Sequence, residues 1–148
     1  KLKKIPGSYA SLVTTIFLFF LFHILILSPN FILIGILIVF FISLYAVNVF
    51  IKDLDNKDPK EVVIDEFIGQ SIPICLYEIA HEGTREIVQV LTFYFTMFIL
   101  FRIFDIVKPY PVSYYDKNFK NSFGVIMDDV CAGLYVVAVL VLYMVITS

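Results

Sequence analysis

The sequence predicts an all-α, polytopic integral membrane protein, a helical bundle of about five spanning helices plus a short interfacial helix. Hydrophobic residues make up 60% of the 148 residues and charged residues only 16%, whereas soluble domains contain roughly 45–50% apolar and about 25% charged residues. The apolar residues also lie in long runs, and a helix of about 20 such residues crosses a bilayer. This length allows one domain, residues 1–148. Because the chain does not begin with Met, we expect a short N-terminal piece to be missing.

Five runs are predicted to span the membrane. The tight breaker Ser28-Pro29-Asn30 makes the first two runs an antiparallel hairpin. The polar segments Lys52–Glu61 and Glu78–Glu86 are predicted to be loops on either side of the third run, which is the weakest because it contains acidic residues. In chain order, the predicted spans are Ser11–Leu27, Phe31–Ile51, Glu61–Tyr77, Ile87–Val107 and Val125–Ile146.

The third predicted helix has its own start signal. The segment Asp58-Pro59-Lys60-Glu61 places Asp at the N-cap, Pro at the first helical position and Glu where it can reach back to the cap, which is a capping box. Asp65 and Glu66 are then expected about 10 Å along the helix axis, just below the membrane surface. Pro73 is expected to kink the helix, because it lacks a backbone N–H.

The segment after the fourth span is predicted to lie at the membrane interface. Pro109 and Pro111 end the fourth helix. Val112–Lys120 is then expected to form a short interfacial helix, whose aromatic side chains are typical of the head-group belt. Direct contact between these rings and a substrate is the alternative. Elsewhere, Cys75 and Cys131 lie in apolar runs without a CxxC spacing, and we expect them to be buried small hydrophobic residues.

The distribution of Lys and Arg predicts the orientation. With five spans, ten of the eleven Lys and Arg residues fall at one membrane face, and Arg85 alone falls at the other. Cytoplasmic loops are enriched in Lys and Arg, so we expect a multi-pass protein of a bacterial-type inner membrane with a cytoplasmic N-terminus. The net charge of −2 argues against nucleic acid as a partner.

Ionisable residues lie inside or at the ends of the last three spans. The predicted topology places all of them at the cytoplasmic ends of these helices. A charged residue at membrane depth costs about 2.5–3.5 kcal/mol at a helix centre, so each one indicates a functional role. These residues are Asp65 and Glu66 in VVIDEFIGQ, Arg102, Asp105 and Lys108 in FRIFDIVKPYP, and Asp128 and Asp129 in FGVIMDDVCAG.

Five carboxylates at one depth repel each other, and a divalent cation among them would make the cluster tolerable. Mg²⁺ favours oxygen ligands and commonly binds one or two carboxylates together with a substrate phosphate. The pattern predicts a Mg²⁺ site, with Arg102 and Lys108 holding the phosphate. An ordinary i,i+3 ion pair is the alternative for Arg102 and Asp105. The predicted metal ligands are Asp65, Glu66, Asp128 and Asp129.

Two glycines accompany the acids. Gly69 lies four residues after Asp65, and Gly133 lies four residues after Asp129. A small residue one turn from an acid would let another helix or a head group approach closely. The alternative is that both are ordinary glycines of membrane helices.

The segments DPKEVVIDEFIGQ, FRIFDIVKPYPV and FGVIMDDVCAG, in this order and spacing, resemble the phosphatidylglycerophosphatase A family. Pro6–Ser11 (PGSYAS) is similar to that family's PGTxGS pattern and departs from it at Tyr9-Ala10. The resemblance covers nearly the whole chain. It implies a membrane-embedded, Mg²⁺-requiring phosphatase domain of phospholipid biosynthesis, which converts phosphatidylglycerophosphate to phosphatidylglycerol. It places the family's motif residues on Asp65, Glu66, Asp105, Asp128 and Asp129, with the basic pair on Arg102 and Lys108.

The mechanism expected from these residues is metal-assisted hydrolysis of a phosphate ester. The candidate catalytic acids are Asp105, Asp129 and Glu66, although pairing with Arg102 would weaken Asp105 as a base. A covalent aspartyl-phosphate is also open. The main alternative is an ion-coupled transporter or channel, which would space its charges through the bilayer. A head-group transferase is a further alternative, but the DG and AR pattern typical of such enzymes is absent.

Overall fold

The computed structural model of the chain describes residues 5–52, 63–81, 83, 85–119 and 121–147. All regular secondary structure in these ranges is helical, which confirms the predicted all-α class. A π-helical turn, Phe20–Ile24, continues the first helix. The helices are α1 (Ile5–Phe19), α2 (Pro29–Lys52), α3 (Ile64–Ala80), α4 (Ile87–Val107), α5 (Val112–Asn118) and α6 (Ser122–Thr147).

Four helices of the described chain are long and apolar enough to cross a membrane. They match the first, second, fourth and fifth predicted spans to within a few residues at most ends. Large apolar side chains are exposed on all four, as expected for helices that face lipid; examples are Ile16, Phe41, Phe95 and Val145. The apolar stretches are Gly7–Ile24, Pro29–Val49, Ile87–Val107 and Phe123–Thr147.

The third predicted span corresponds to α3, which is a shorter helix that packs against four others. Its 17 residues give a length of about 25 Å at 1.5 Å per residue. It packs against α1, α2, α4 and α6, and most extensively against α6. Glu66 near its start lies against Gly7 of α1, and Glu78 near its end lies 3.2 Å from His23 in the π-helical turn. Helix α3 therefore runs beside α1 through the bundle.

The start of α3 differs from the prediction. The helix begins at Ile64, three residues after the predicted Glu61, and Val63 before it is non-helical, with φ −124° and ψ 4°. The predicted capping box, Asp58–Glu61, lies outside the described residues. Val63 and Ile64 are both β-branched, which lowers their helix propensity. As a result Asp65 and Glu66 lie in the first turn of α3, where the positive end of the helix dipole favours carboxylates.

Local signals explain the remaining helix ends. Helix α4 ends at Lys108, which has a left-handed φ of 49° and donates its N–H to Phe104 O at 2.9 Å, just before Pro109. Helix α6 begins three residues before the predicted Val125, because Asn121 Oδ1 accepts a hydrogen bond from the Gly124 N–H at 3.0 Å and caps the helix.

The predicted loop beginning at Glu78 is wrong at its first residues. Helix α3 continues to Ala80, and Glu78 is only 5% exposed. Its carboxylate lies 3.0 Å from Tyr94 Oη, 3.2 Å from His23 Nε2 and 2.5 Å from Arg85 Nη2. These partners come from α4, the π-helical turn and the loop before α4, so they satisfy a charge that the local sequence leaves unpaired. Both cysteines are buried free thiols, as predicted.

Candidate active site

Three carboxylates from two helices converge at one end of the bundle. Asp65 and Glu66 of α3 and Asp129 of α6 each offer an oxygen atom, and these atoms all lie within 4.8 Å of one another. Asp129 is only 3% exposed, and the nearby carboxylates of Asp105 and Asp128 also repel its charge. The structure thus brings together three of the four residues predicted to hold a metal ion.

A close crossing of α3 and α6 holds these acids near each other. A Cβ atom on Gly69 would lie 2.6 Å from the carbonyl oxygen of Asp129, and one on Gly133 would collide with the carbonyl oxygen of Gly69. A side chain at either position would therefore force the helices apart. Since each glycine lies about one turn beyond an acid, the crossing sets the separation of Asp65 and Asp129. The predicted close approach of another helix at these glycines is confirmed.

Arg102 links the acids to the first helix. Its Nη1 lies 2.9 Å from Asp105 Oδ2 and 3.3 Å from Ser11 Oγ, and the residue is 7% exposed. The i,i+3 ion pair is therefore present, but it is buried and has an additional partner on α1. A Cβ atom on Gly7 would collide with Glu66 Oε1 and lie 3.4 Å from Arg102 Nη1. Glycine at position 7 lets Glu66 and Arg102 approach the backbone of α1.

Lys108 and Asp128 form an ion pair beside the three-carboxylate group. Lys108 Nζ lies 2.8 Å from Asp128 Oδ2 and 2.6 Å from Asp116 Oδ1. Burial opposes the positive charge, but the carboxylates of Asp128 and Asp116 outweigh it and hold the pKa of Lys108 above its usual range. Asp128, a predicted metal ligand, thus faces Lys108 in this structure, and Lys108 shares its charge between two acids.

Several buried polar atoms at this end have no hydrogen-bond partner among the described residues. They are Glu66 Oε2, Arg102 Nε and both polar atoms of the Gln70 carboxamide. Buried polar groups in proteins are nearly always paired. These donors and acceptors are therefore available to a ligand that offers oxygen atoms and protons.

The carboxylate group fits a divalent cation. Mg²⁺ takes six oxygen ligands at about 2.0–2.1 Å, so the ligand oxygens of one ion lie up to about 4.2 Å apart. The oxygens of Asp65, Glu66 and Asp129, within 4.8 Å of each other, need only a small movement to meet that geometry. Among the described residues, Arg102 pairs with Asp105, and Lys108 pairs with Asp116 and Asp128. The carboxylates of Asp65, Glu66 and Asp129 have no ion-pair partner there. A bound cation would offset part of the excess negative charge.

The structure adds residues to the site that the sequence analysis did not assign to it. Ser11 and Gly7 lie in the segment Pro6–Ser11, and the similarity of this segment to the family pattern could have pointed to both residues. Gln70 is an amide in an otherwise apolar stretch, one turn beyond Glu66. Asp116 has no such signal, because it is one polar residue among several in its segment.

Comparisons with known proteins place the chain in a family. The profile of the Phosphatidylglycerophosphatase A family matches residues 1–144. A Haemophilus influenzae protein named Phosphatidylglycerophosphatase A is 34% identical over 134 residues, which are 90% of this chain and 76% of that protein. A Bacteroides thetaiotaomicron protein with the provisional name phosphatidylinositol-3-phosphatase is 44% identical over 80 residues, 54% of this chain and 45% of that protein. An Escherichia coli protein named Phosphatidylglycerophosphatase A is 29% identical over 98 residues, 63% of this chain and 49% of that protein.

No solved structure matches the chain. The alignments span about three quarters of the Haemophilus influenzae protein and about half of the other two. The family profile, by contrast, covers every acid and base of the site described above. The chain therefore belongs to the phosphatidylglycerophosphatase A family, a family of phosphoric monoester hydrolases.

Proposed function

We propose that the chain is a Mg²⁺-dependent phospholipid phosphatase, which hydrolyses the terminal phosphate ester of phosphatidylglycerophosphate to give phosphatidylglycerol. The observation that carries the proposal is the convergence of Asp65, Glu66 and Asp129 within 4.8 Å. A carboxylate group suited to a hard cation next to a buried arginine is a combination that supports metal-assisted hydrolysis of a phosphate ester. The family, and the names of two of its relatives, support the choice of lipid.

The substrate phosphate would bind between the three carboxylates and Arg102. Asp65, Glu66 and Asp129 would hold the cation, which supplies positive charge beside the phosphate oxygens. Arg102 offers its Nε–H, which has no partner among the described residues, while Asp105 and Ser11 hold Nη1. Asp105 thereby orients the guanidinium group. Lys108, paired with Asp116 and Asp128, contributes positive potential at the edge of the site.

Hydrolysis requires a water molecule to attack phosphorus while the bond between phosphorus and the glycerol oxygen breaks. Glu66 would accept a proton from that water through Oε2, which is unpartnered in the described structure, while its other carboxylate oxygen holds the cation. The proton then passes to the departing glycerol oxygen. The products are inorganic phosphate and the lipid alcohol, and the carboxylate is regenerated.

The site is proposed to face the cytoplasm from a bacterial-type inner membrane. The support is the distribution of Lys and Arg: the predicted topology puts ten of them at the face of the acids and Arg85 at the other. Two cysteine variants test it with a membrane-impermeant thiol reagent. Glu86→Cys, at the exposed N-cap of α4, should react in intact cells, and Asn118→Cys at the end of α5 only after the cells are opened. The reverse pattern would invert the orientation.

The activity is tested by phosphate release from phosphatidylglycerophosphate in detergent. We expect release with Mg²⁺, loss of at least 10²-fold in EDTA, and recovery on adding Mg²⁺ back. Equal rates in EDTA would exclude the metal role, and no release with Mg²⁺ would exclude the activity. Phosphatidylinositol-3-phosphate serves as a second substrate because of the name of the Bacteroides thetaiotaomicron relative. A higher kcat/KM for that lipid would change the substrate assignment.

Ion-coupled transport is the alternative that the intramembrane acids leave open. It predicts charges spaced through the bilayer. In the described helices, the stretch of α3 between Glu66 and Glu78 contains no Asp, Glu, Lys or Arg, and neither do the segments of α1, α4 and α6 beside it. Turnover by purified protein in detergent, where no compartments exist, would favour the enzyme over the transporter.

A further inference from the structure

Gln70 is a buried amide that packing alone does not explain. Its side chain is 0% exposed, and neither Nε2 nor Oε1 has a hydrogen-bond partner among the described residues. An unpaired carboxamide in a bundle interior is destabilising, whereas an apolar side chain of similar size would not be. Because the unpaired amide destabilises the ligand-free protein, we expect it to pair with a bound ligand.

The position of Gln70 on α3 leads us to expect its amide on the side of the acids. It lies four residues after Glu66, so the two side chains share one face of α3. Side chains on an α-helix lean towards the helix N-terminus, so we expect the carboxamide to lie back towards Glu66 and not deeper in the bundle. Glu66 Oε2 and Arg102 Nε are also buried and unpartnered. Three side chains from α3 and α4 thus leave donors and acceptors unused at one end of the bundle.

We infer that Gln70 is a further catalytic residue, whose Nε2 donates a hydrogen bond to a phosphate oxygen of the substrate beside the oxygen that Arg102 holds. This inference rests on the proposed phosphatase activity. Negative charge on the phosphate oxygens must be stabilised throughout phosphoryl transfer. A preorganised donor in a site with little water stabilises that charge strongly. A neutral donor also leaves the net charge of the carboxylate group unchanged.

The test replaces the amide with an apolar side chain of similar length, Gln70→Met. We expect kcat for phosphate release to fall about 10²-fold, while the midpoint of thermal unfolding stays equal or rises, because an unpaired buried amide has been removed. Gln89→Met is the matched control, since Gln89 is exposed on α4 towards the other end of the bundle. It should change neither quantity.

Inorganic phosphate gives a readout that does not depend on turnover. With Mg²⁺ present, phosphate should raise the unfolding midpoint of the wild-type protein, and Gln70→Met should reduce that rise. A variant with wild-type kcat and a wild-type response to phosphate overturns the inference. So does a variant that unfolds at a lower temperature but keeps its kcat, because the amide would then be structural. Should Gln70→Met fail to fold, Gln70→Leu is measured in the same way. Wild-type protein that hydrolyses no lipid would reject the proposed activity, whereas an unchanged kcat in the variant of an active protein rejects only the role of Gln70.

Discussion

Two groups of buried charge lie at opposite ends of α3, and they differ in how their charges are satisfied. At the far end, the single carboxylate of Glu78 meets Tyr94, His23 and Arg85, three partners from other parts of the chain. At the near end, the carboxylates of Asp65, Glu66 and Asp129 converge without an ion-pair partner among the described residues. Several buried polar atoms there also have no hydrogen-bond partner in the described chain. The carboxylate of Glu78 thus has its partners among the described residues, although Arg85 Nη1 beside it has none. The three converging carboxylates at the near end have no ion-pair partner among these residues.

This difference indicates a structural role for the group around Glu78 and a functional role for the group around Asp129. A buried charge with all its partners in place tolerates burial, and removing one partner is costly. A buried excess of one sign destabilises the fold, so it persists where it serves binding or catalysis. Substitutions at the two ends should therefore have opposite effects on stability and activity, and each of the following experiments measures both.

Asp129→Asn should have the largest effect. It removes one of the three carboxylates that lie within 4.8 Å of one another, and we expect kcat to fall by about 10³-fold, which corresponds to ~4 kcal/mol. Stability without divalent cations should stay equal or rise, because one of the mutually repelling charges is gone. Phosphate release and thermal unfolding in EDTA measure the two effects. Full turnover with unchanged Mg²⁺ dependence would remove Asp129 from the site.

Glu78→Gln should lower the stability and leave turnover nearly unchanged, which is the reverse of the effect of Asp129→Asn. The amide can still contact Tyr94 and His23, but the charge of Arg85 loses its partner. We expect the free energy of unfolding to fall by about 3 kcal/mol, with kcat of the folded protein kept within about twofold. Glu86→Gln is the control, because Glu86 is exposed at the start of α4, and its stability should not change. A loss of kcat in Glu78→Gln at full stability would contradict the structural role.

Gly133→Ala tests the close crossing of α3 and α6, which holds Asp65 and Asp129 near each other. The added Cβ would collide with the carbonyl oxygen of Gly69, so the helices must move apart, at a cost of about 1–3 kcal/mol, and kcat should fall as Asp129 separates from Asp65. Gly35→Ala is the matched control. Nothing lies within 4 Å of a Cβ at that position on α2, so alanine there should stabilise the protein by about 0.5–1 kcal/mol. Equal stability of the two variants would argue against the tight crossing.

Asp116→Asn should have the smallest effect. Lys108 keeps Asp128 as a partner, and the lost pair is partly exposed, so we expect a stability change of at most about 1 kcal/mol. Turnover should change by less than about threefold. Denaturant unfolding and steady-state kinetics measure these limits. A loss as large as that of Asp129→Asn would mean that Asp116 belongs to the catalytic group.

The sequence predicted what depends on local pattern and missed what depends on distant partners. Helix α4 was predicted with both its ends, because its apolar run stops directly before Lys108 and Pro109. The start of α3 was not, since the helix begins at Ile64 after the non-helical Val63 and not at Glu61. Glu78 was assigned to a loop because its partner His23 lies 55 residues away in the chain.

The site residues also divide into those that local sequence identified and those that depend on distant partners. Intramembrane acids are rare enough that Asp65, Glu66 and Asp129 could be singled out from the sequence, and the structure brings them together. The pairing of Asp128 with Lys108 could not be anticipated, because it depends on the left-handed turn at Lys108 and on the packing of α5 against α6. Gln70 attracts attention only once its burial and missing partners are known.

The crossing at Gly69 and Gly133 has a consequence for how the protein is made. Helix α1 contributes Gly7 and Ser11, α3 contributes Asp65, and α6, which follows every other described helix in the chain, contributes Asp129. Chains emerge from the ribosome N-terminus first, so α6 is the last of these helices to be inserted. The three carboxylates therefore come together only after α6 has been synthesised and has docked onto α3. An ion held by all three would bind the assembled bundle and not the first five helices alone.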